Sequence, residues 1–476
     1  MGILDPKPPT RAELSATYAP VSGSKNYAAR SNNSGAFGGI TGALADGQSA
    51  SIVVMGDSTG NDAGEWVDLV ARDLGAMHPS RRVQVKTWND ATQRHGAWNV
   101  LQAGAAGERH AIVQAVTPRT LTTRSADITA PTGDLDIRIK VALDDWTPAA
   151  ISTLAARFGA AGSRSWSVSL NATGTRLQLD WSPDGTAMVA AAPPPNLPVI
   201  ADGTTKWVRM TLDVDNGQGG YTVTAYVGDD GLTWTQTGQT VTTAGITSVY
   251  GGGTQEYEIG GRATNAQTAP GKYYEVQIRD GIDGVIVNPQ PIDSWTRYIA
   301  SDVLTFDAFG GSPTLYVING SHPGADLTYL TDAARLPKMF PPMPGALVFL
   351  SCSHNDREYV GTSLLARWDA ALSTLRARIG GTASFCVITQ NPEIAPIELA
   401  LRQNNSRRRR DRLAWAARNA LYSIDTYKAF LDDPRGVAAL LQADGIHPTL
   451  DGANTAAQTG SRLWADTVTA AFKAGI

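Results

Sequence analysis

The spacing of apolar residues changes along this chain. At Ser51 a short β-branched run, SIVVMGDSTG, ends in a glycine-bounded turn, and AGEWVDLVARDLGAMH follows with Trp66, Leu69, Val70 and Leu74 on one helical face. This pattern predicts a strand, a tight turn and a helix. From about 120 to 290 the period shortens to two: Leu135, Ile137, Ile139, Val141 and Leu143 alternate with polar residues, as do Trp166, Val168, Leu170 and Leu177, Leu179, Trp181. Val208, Met210, Leu212 and Val214 run into DNGQGG and resume at Tyr221, Val223, Ala225 and Val227, which predicts a hairpin. After about 295, strand-then-helix units return. PTLYVING, GALVFLSCS, ASFCVITQ and LYSID are the strand candidates, and helices are expected at about 361–379, 396–420 and 451–473.

Many short alternating strands without intervening helices indicate an antiparallel sandwich. The flanking segments read as one α/β domain that the sandwich interrupts. The expected organisation is an N-terminal arm over 1–50, the first part of the α/β domain over 51–116, the all-β insertion over 117–294 and the remainder of the α/β domain over 295–476. The arm carries Pro6, Pro8, Pro9 and Pro20 and then a Gly/Ser/Asn-rich stretch with little periodicity, so the folded core should not require it.

Composition narrows the functional classes. Of 476 residues, 42% are hydrophobic and 18% charged, which is the make-up of an ordered chain. The formal charge of −4 offers no global basic field, so nucleic acid is not an expected partner. No run approaches the ~18 apolar residues of a membrane span, and the opening MGILDPKPPTRAEL does not read as a signal peptide. Cys352 and Cys386 both sit in strand-like runs and read as buried free thiols. Asp213, Asp215 and Asn216 superficially resemble a calcium loop, but Thr224 stands where the bidentate Glu belongs, so a turn is expected and no metal or cofactor.

Ser58, in Gly56-Asp57-Ser58-Thr59-Gly60, stands where an apolar strand meets a helix, the end of a parallel strand at which α/β sheets place their sites. Read alone, it could equally cap the helix. The string fits a G-x-S-x-G nucleophile elbow, yet an elbow serine follows several strands of its sheet and here only the arm precedes it. Far downstream, Asp444-Gly445-Ile446-His447-Pro448 supplies an imidazole and a carboxylate three residues apart, able to take a serine proton and to orient the base. Two loops that follow predicted strands could donate to an oxyanion: Asn319–Gly324, through the backbone N–H of Gly324, and Ser353–Asp356, through the Asn355 amide.

These four places together resemble the SGNH hydrolases, the GDSL-like lipase/esterase superfamily. The blocks are GDS at 56–58, a Gly after an apolar strand at 324, S-H-N-D at 353–356 in place of the usual G-x-N-D, and D-G-I-H-P at 444–448. The resemblance implies a flavodoxin-like three-layer α/β fold with Ser58 as nucleophile. It also implies oxyanion donors from the Ser58 backbone, the Gly324 backbone and the Asn355 side chain, and Asp444 with His447 as the orienting and base pair. The insertion resembles a concanavalin-like or laminin-G-like jelly roll, a module that either binds glycan or serves as scaffold. Arg407, Arg408, Arg409, Arg410 and Arg412 cannot share one helix face and read mostly as solvated, or else as a contact for an anionic partner. His322 and His354 flank the candidate oxyanion loops.

The opening MGILDPKPPTRAELSATYAP, with GDSTGNDAGEWV and VKTWNDATQRHGAWNVLQAGAAG, resembles minor tail proteins of phages that infect mycobacteria and related actinobacteria. The expected protein is thus a virion tail-tip esterase acting on ester bonds of the host envelope, in acylated polysaccharide or lipid esters. Ile3, Leu4, Leu14, Tyr18 and Tyr27 of the arm would dock it to other tail proteins. A homo-oligomer is left open. The rival readings are a non-enzymatic receptor-binding tail protein on a hydrolase scaffold and a bacterial carbohydrate esterase with a glycan-binding insert.

Overall fold

The computed structural model describes residues 28–29, 35–114, 121–123, 130–253, 255–262, 267–299, 302–304, 309–380, 382–394, 399–451 and 459–473. The anchors proposed for the arm lie outside these residues, as does the start of the last predicted helix. The chain divides into two compact units, one comprising 1–102, 315–336 and 345–476, the other 103–314 and 337–344.

The first unit is built on a mainly parallel sheet. Its strands are β1 (Ala50–Gly56), β2 (Arg82–Asn89), β3 (Thr314–Asn319), β4 (Leu347–Ser351), β5 (Ser384–Ile388) and β6 (Tyr422–Ile424), in the spatial order β6-β5-β4-β1-β3-β2. β1 pairs in parallel with β3 on one side and β4 on the other, and β4, β5 and β6 continue in parallel. The near-continuous apolar runs follow from burial on both faces. On one face Ile52, Val54, Val317, Phe349, Cys386 and Ile424 pack with three helices, α1 (Gly35–Ala45), α2 (Trp66–Met77) and α6 (Gly460–Lys473). Trp66 of α2 stacks on Trp464 of α6 with ring centroids 5.7 Å apart. The opposite side carries α3 (Thr362–Ile379) and α4 (Leu399–Arg418), whose Trp368 and Trp415 rings meet at 5.4 Å. A short helix, α5 (Thr426–Asp432), follows β6. Cys352 and Cys386 are buried and free, as expected.

One correction concerns the arm. Residues 35–45, read as part of a connector, form α1, and Phe37, Ile40 and Leu44 are buried on one face at the i, i+3, i+7 spacing. Phe37 lies within 5.0 Å of Phe472 and 5.4 Å of Tyr422, ring centroid to centroid. This segment belongs to the core.

Among the described residues, the second unit is an antiparallel sandwich of two eight-stranded sheets. Leu135, Ile137, Ile139 and Val141 of one sheet share a core with Trp166, Val168, Leu179 and Trp181 of the other. The predicted hairpin is present, with Thr205–Asp213 paired to Thr222–Gly228. Its turn is closed by Asn216, whose Oδ1 accepts from the amides of Gln218 at 3.0 Å and Gly220 at 3.3 Å. The sandwich extends beyond 117–294 because strand pairing recruits both flanks. His110–Val113 pairs with Gly271–Asp280 and Phe309–Gly310, and Thr296–Ile299 pairs with Leu121–Thr123 and Asp302–Leu304.

Candidate active site

Ser58, Gly324 and Asn355 occupy the loops that follow β1, β3 and β4, neighbours in the sheet of the first unit, and His447 lies in the loop after a short helix at Val437–Leu440. Ser58 lies two residues beyond β1 and is half-buried. It does not cap the helix: α2 begins at Trp66, with Glu65 at its N-cap position. The loop between is shaped by close approaches. A Cβ on Gly56 would collide with Ser321 Oγ, and one on Gly60 would fall 2.9 Å from both Trp66 Nε1 and Val67 Cγ2.

The Oγ of Ser58 is 2.7 Å from Nε2 of His447, and Nδ1 of the same ring is 2.5 Å from Oδ2 of Asp444. Asp444 Oδ1 accepts from the amides of Ile446 at 2.9 Å and His447 at 3.0 Å, so one carboxylate fixes both the loop and the ring. Burial raises the Asp444 pKa, but the hydrogen bonds from His447 and the two amides outweigh it and hold the carboxyl below its ordinary value. Asn391 Nδ2 donates to Ile446 O at 2.7 Å, tying this loop to the one after β5.

In the loop after β4, Asn355 Nδ2 donates to Ala325 O at 2.9 Å. The bond joins the loop after β4 to the loop after β3, next to Gly324. Gly324 has φ +76° and open space where a side chain would stand. Asn319 Nδ2 donates to Gly60 O at 2.7 Å, linking the β3 loop to the Ser58 loop. The sequence reading missed Asp57. Its buried carboxylate accepts, on Oδ1, from Thr59 N at 3.2 Å and from Thr59 Oγ1 at 2.9 Å. It therefore braces the turn that carries Ser58, and burial pushes its pKa up to about 6.

The two flanking histidines have different fates. His322 is half-buried and stacks on Tyr329 at 4.6 Å between ring centroids. Tyr329 is anchored by its hydroxyl to Asp90 at 2.5 Å and covered by Arg335. His354 is buried, with Nε2 3.2 Å from Asn391 O and Nδ1 3.8 Å from Glu393 Oε1, and burial together with Arg408 drives its pKa well below the usual value. It is part of the interior, not a substrate contact.

The arginine run is mostly internal as well. Arg408 and Arg412 are buried and Arg409 pairs with Asp425, which leaves Arg407 and Arg410 exposed. Arg408 Nη1 donates to Arg357 O at 3.0 Å. The i, i+4 spacing puts Arg408 and Arg412 on one inward face of α4.

No family model and no curated protein matches the chain. Similar solved structures include a peptidoglycan O-acetylesterase, at 14% identity and TM-score 0.37 over 94% of this chain and 97% of that one. A member of the lipolytic G-D-S-L family from Veillonella parvula aligns at 17% identity and TM-score 0.26 over 33% of this chain and 81% of its own. The CBM40 of the Ruminococcus gnavus IT-sialidase, bound to α2,3-sialyllactose, aligns at 12% identity and TM-score 0.23 over 38% of this chain and 91% of its own.

Proposed function

We propose that this chain is a serine ester hydrolase with Ser58 as its nucleophile. The observation that carries the reading is the relay from Ser58 Oγ through both nitrogens of His447 to Asp444. Ser58 Oγ attacks the ester carbonyl while His447 Nε2 takes its proton. Asp444 keeps the remaining proton on Nδ1 and stabilises the imidazolium that forms. A primary amide has two N–H donors; Asn355 spends one on Ala325 and offers the other to the oxyanion, beside the backbone N–H groups of Ser58 and Gly324. As the tetrahedral intermediate collapses, His447 passes the proton to the leaving alcohol and an acyl-serine remains. Water, deprotonated by His447, then releases the acid and restores Ser58.

For the substrate we propose ester bonds of a host cell envelope, in acylated polysaccharide or lipid esters, with the sandwich unit binding the polymer. The tail-like sequence at the start of the chain supports a place in a virion tail, docked through the N-terminal arm. Labelling of Ser58 by a fluorophosphonate, combined with acid release from purified envelope fractions, tests the reading. Absence of labelling would overturn the enzyme assignment, and labelling without release would overturn the substrate. Absence of the chain from purified virions would remove the tail assignment alone.

A further inference from the structure

Ser353 has φ +132°, a backbone torsion that side chains rarely adopt, and it opens the turn that carries Asn355, its carbonyl accepting from Asp356 N at 3.2 Å. A serine here must be held. The holding group is Arg412, reaching from α4: its Nη1 donates to Ser353 Oγ at 3.0 Å, and its Nη2 donates to Leu350 O at 3.0 Å and Ile388 O at 2.7 Å. One guanidinium thereby joins the carboxyl ends of β4 and β5 to the first residue of the Asn355 turn. Its planar fork suits three acceptors in different directions. Arg412 is 1% exposed, and its guanidinium lies 4.8 Å from the Trp368 ring. Among the described residues no carboxylate forms an ion pair with it. A buried cation hydrogen-bonded to neutral oxygens is costly; the carboxylates of Asp57 and Asp356 favour its charge from a distance, and the return is the fixed loop. Burial brings its pKa down to about 10, which leaves it charged at neutral pH.

We propose that Arg412 is the positioning residue for Asn355: through the Ser353 hydroxyl it fixes the turn whose amide faces the oxyanion. The proposal rests on the ester-hydrolase reading of the site. Arg412 touches no reacting atom, so its effect passes through the loop.

The test compares Ser353→Ala, Ser353→Gly, Arg412→Met and the double variant Arg412→Met with Ser353→Gly. Two readouts are taken: kcat and KM on a small soluble ester, and amide hydrogen exchange at 353–356. Ser353→Ala keeps the unfavourable torsion without the hydroxyl, and should lose about 10-fold or more in kcat with KM little changed, because small misplacements of a catalytic group are costly. Ser353→Gly relieves the torsion and should lose less. The double variant should recover at least roughly threefold over Arg412→Met, with exchange at 353–356 slowing in parallel. Equal losses in the two Ser353 variants, or no recovery in the double variant, would overturn the proposal. If Arg412→Met does not fold, the Ser353 pair decides alone. Should the native chain turn over no ester while exchange still follows the expected order, the loop assignment stands and the hydrolase reading falls. Normal turnover with unchanged exchange in Ser353→Ala has the opposite meaning.

Discussion

Ser58 Oγ and His447 Nε2, 389 positions apart in the chain, stand 2.7 Å from each other with Asp444 on the far nitrogen. Ser58→Ala removes the proposed nucleophile and leaves the surrounding loop bonds through Asp57 and Asn319 intact. Ester turnover should fall by roughly 10⁴ to 10⁶-fold, with the unfolding midpoint little altered. Turnover near that of the native chain would place the chemistry elsewhere.

Asn355→Ala tests the oxyanion side. Loss of one such donor typically lowers kcat by about 10² to 10³-fold, and KM should hardly move, since the bond strengthens only as charge develops. A change confined to KM would make Asn355 a substrate-binding group. Because Asn355 also ties down Ala325, the melting temperature is measured alongside.

Glu65 gives the stability a pH dependence. It is 5% exposed, and burial pushes its pKa up to about 8, with Asp62 and Asp57 adding repulsion. The folded chain then holds a proton that the unfolded chain releases near the ordinary carboxyl value. Stability contributed at low pH is therefore lost as pH rises from about 4.5 towards 8, at up to about 1.4 kcal/mol per pH unit. Urea unfolding at pH 5, 6.5 and 8 should show the native chain losing stability relative to Glu65→Gln. A difference independent of pH would mean that Glu65 ionises normally.

A chain truncated to begin at Gln48 should fail to give a stable core, although residues 1–50 read as a dispensable arm. The truncation removes Phe37 from its contacts with Tyr422 and Phe472, and Ile40 and Leu44 with it. Phe37→Ala alone should cost roughly 3–5 kcal/mol, read by urea unfolding. A truncated chain as stable as the full one would contradict the packing of α1.

The reasons α1 escaped the sequence reading are physical. Its sequence, GAFGGITGALA, carries four glycines, the poorest ordinary helix formers, and the helix exists because tertiary packing of three apolar side chains overrides propensity. Leu347–Ser351 and Ser384–Ile388 were legible because a strand buried on both faces leaves an uninterrupted apolar run. The approach of Ser58 to the Asp444/His447 pair was legible because those motifs are local and their order along the chain is informative. Asp57 and Arg412 were not. Asp57 is buried under neighbours that its own sequence does not announce, and Arg412 works by reaching backbone groups at the ends of two strands, a destination that nothing in the neighbouring residues records. The sandwich limits were misplaced because short edge strands such as Phe309–Gly310 carry too few residues to show a period.

The long separation of Ser58 from its base also has a temporal meaning. At ribosomal speeds of roughly 5–20 residues per second, the 389 positions between Ser58 and His447 correspond to roughly 20–80 s of synthesis. Throughout that interval the nascent chain carries the Ser58 hydroxyl without the base proposed for it. Any translation product that stops short of Asp444 carries the proposed nucleophile without its base, so under the proposed mechanism esterolysis waits until the chain extends past His447.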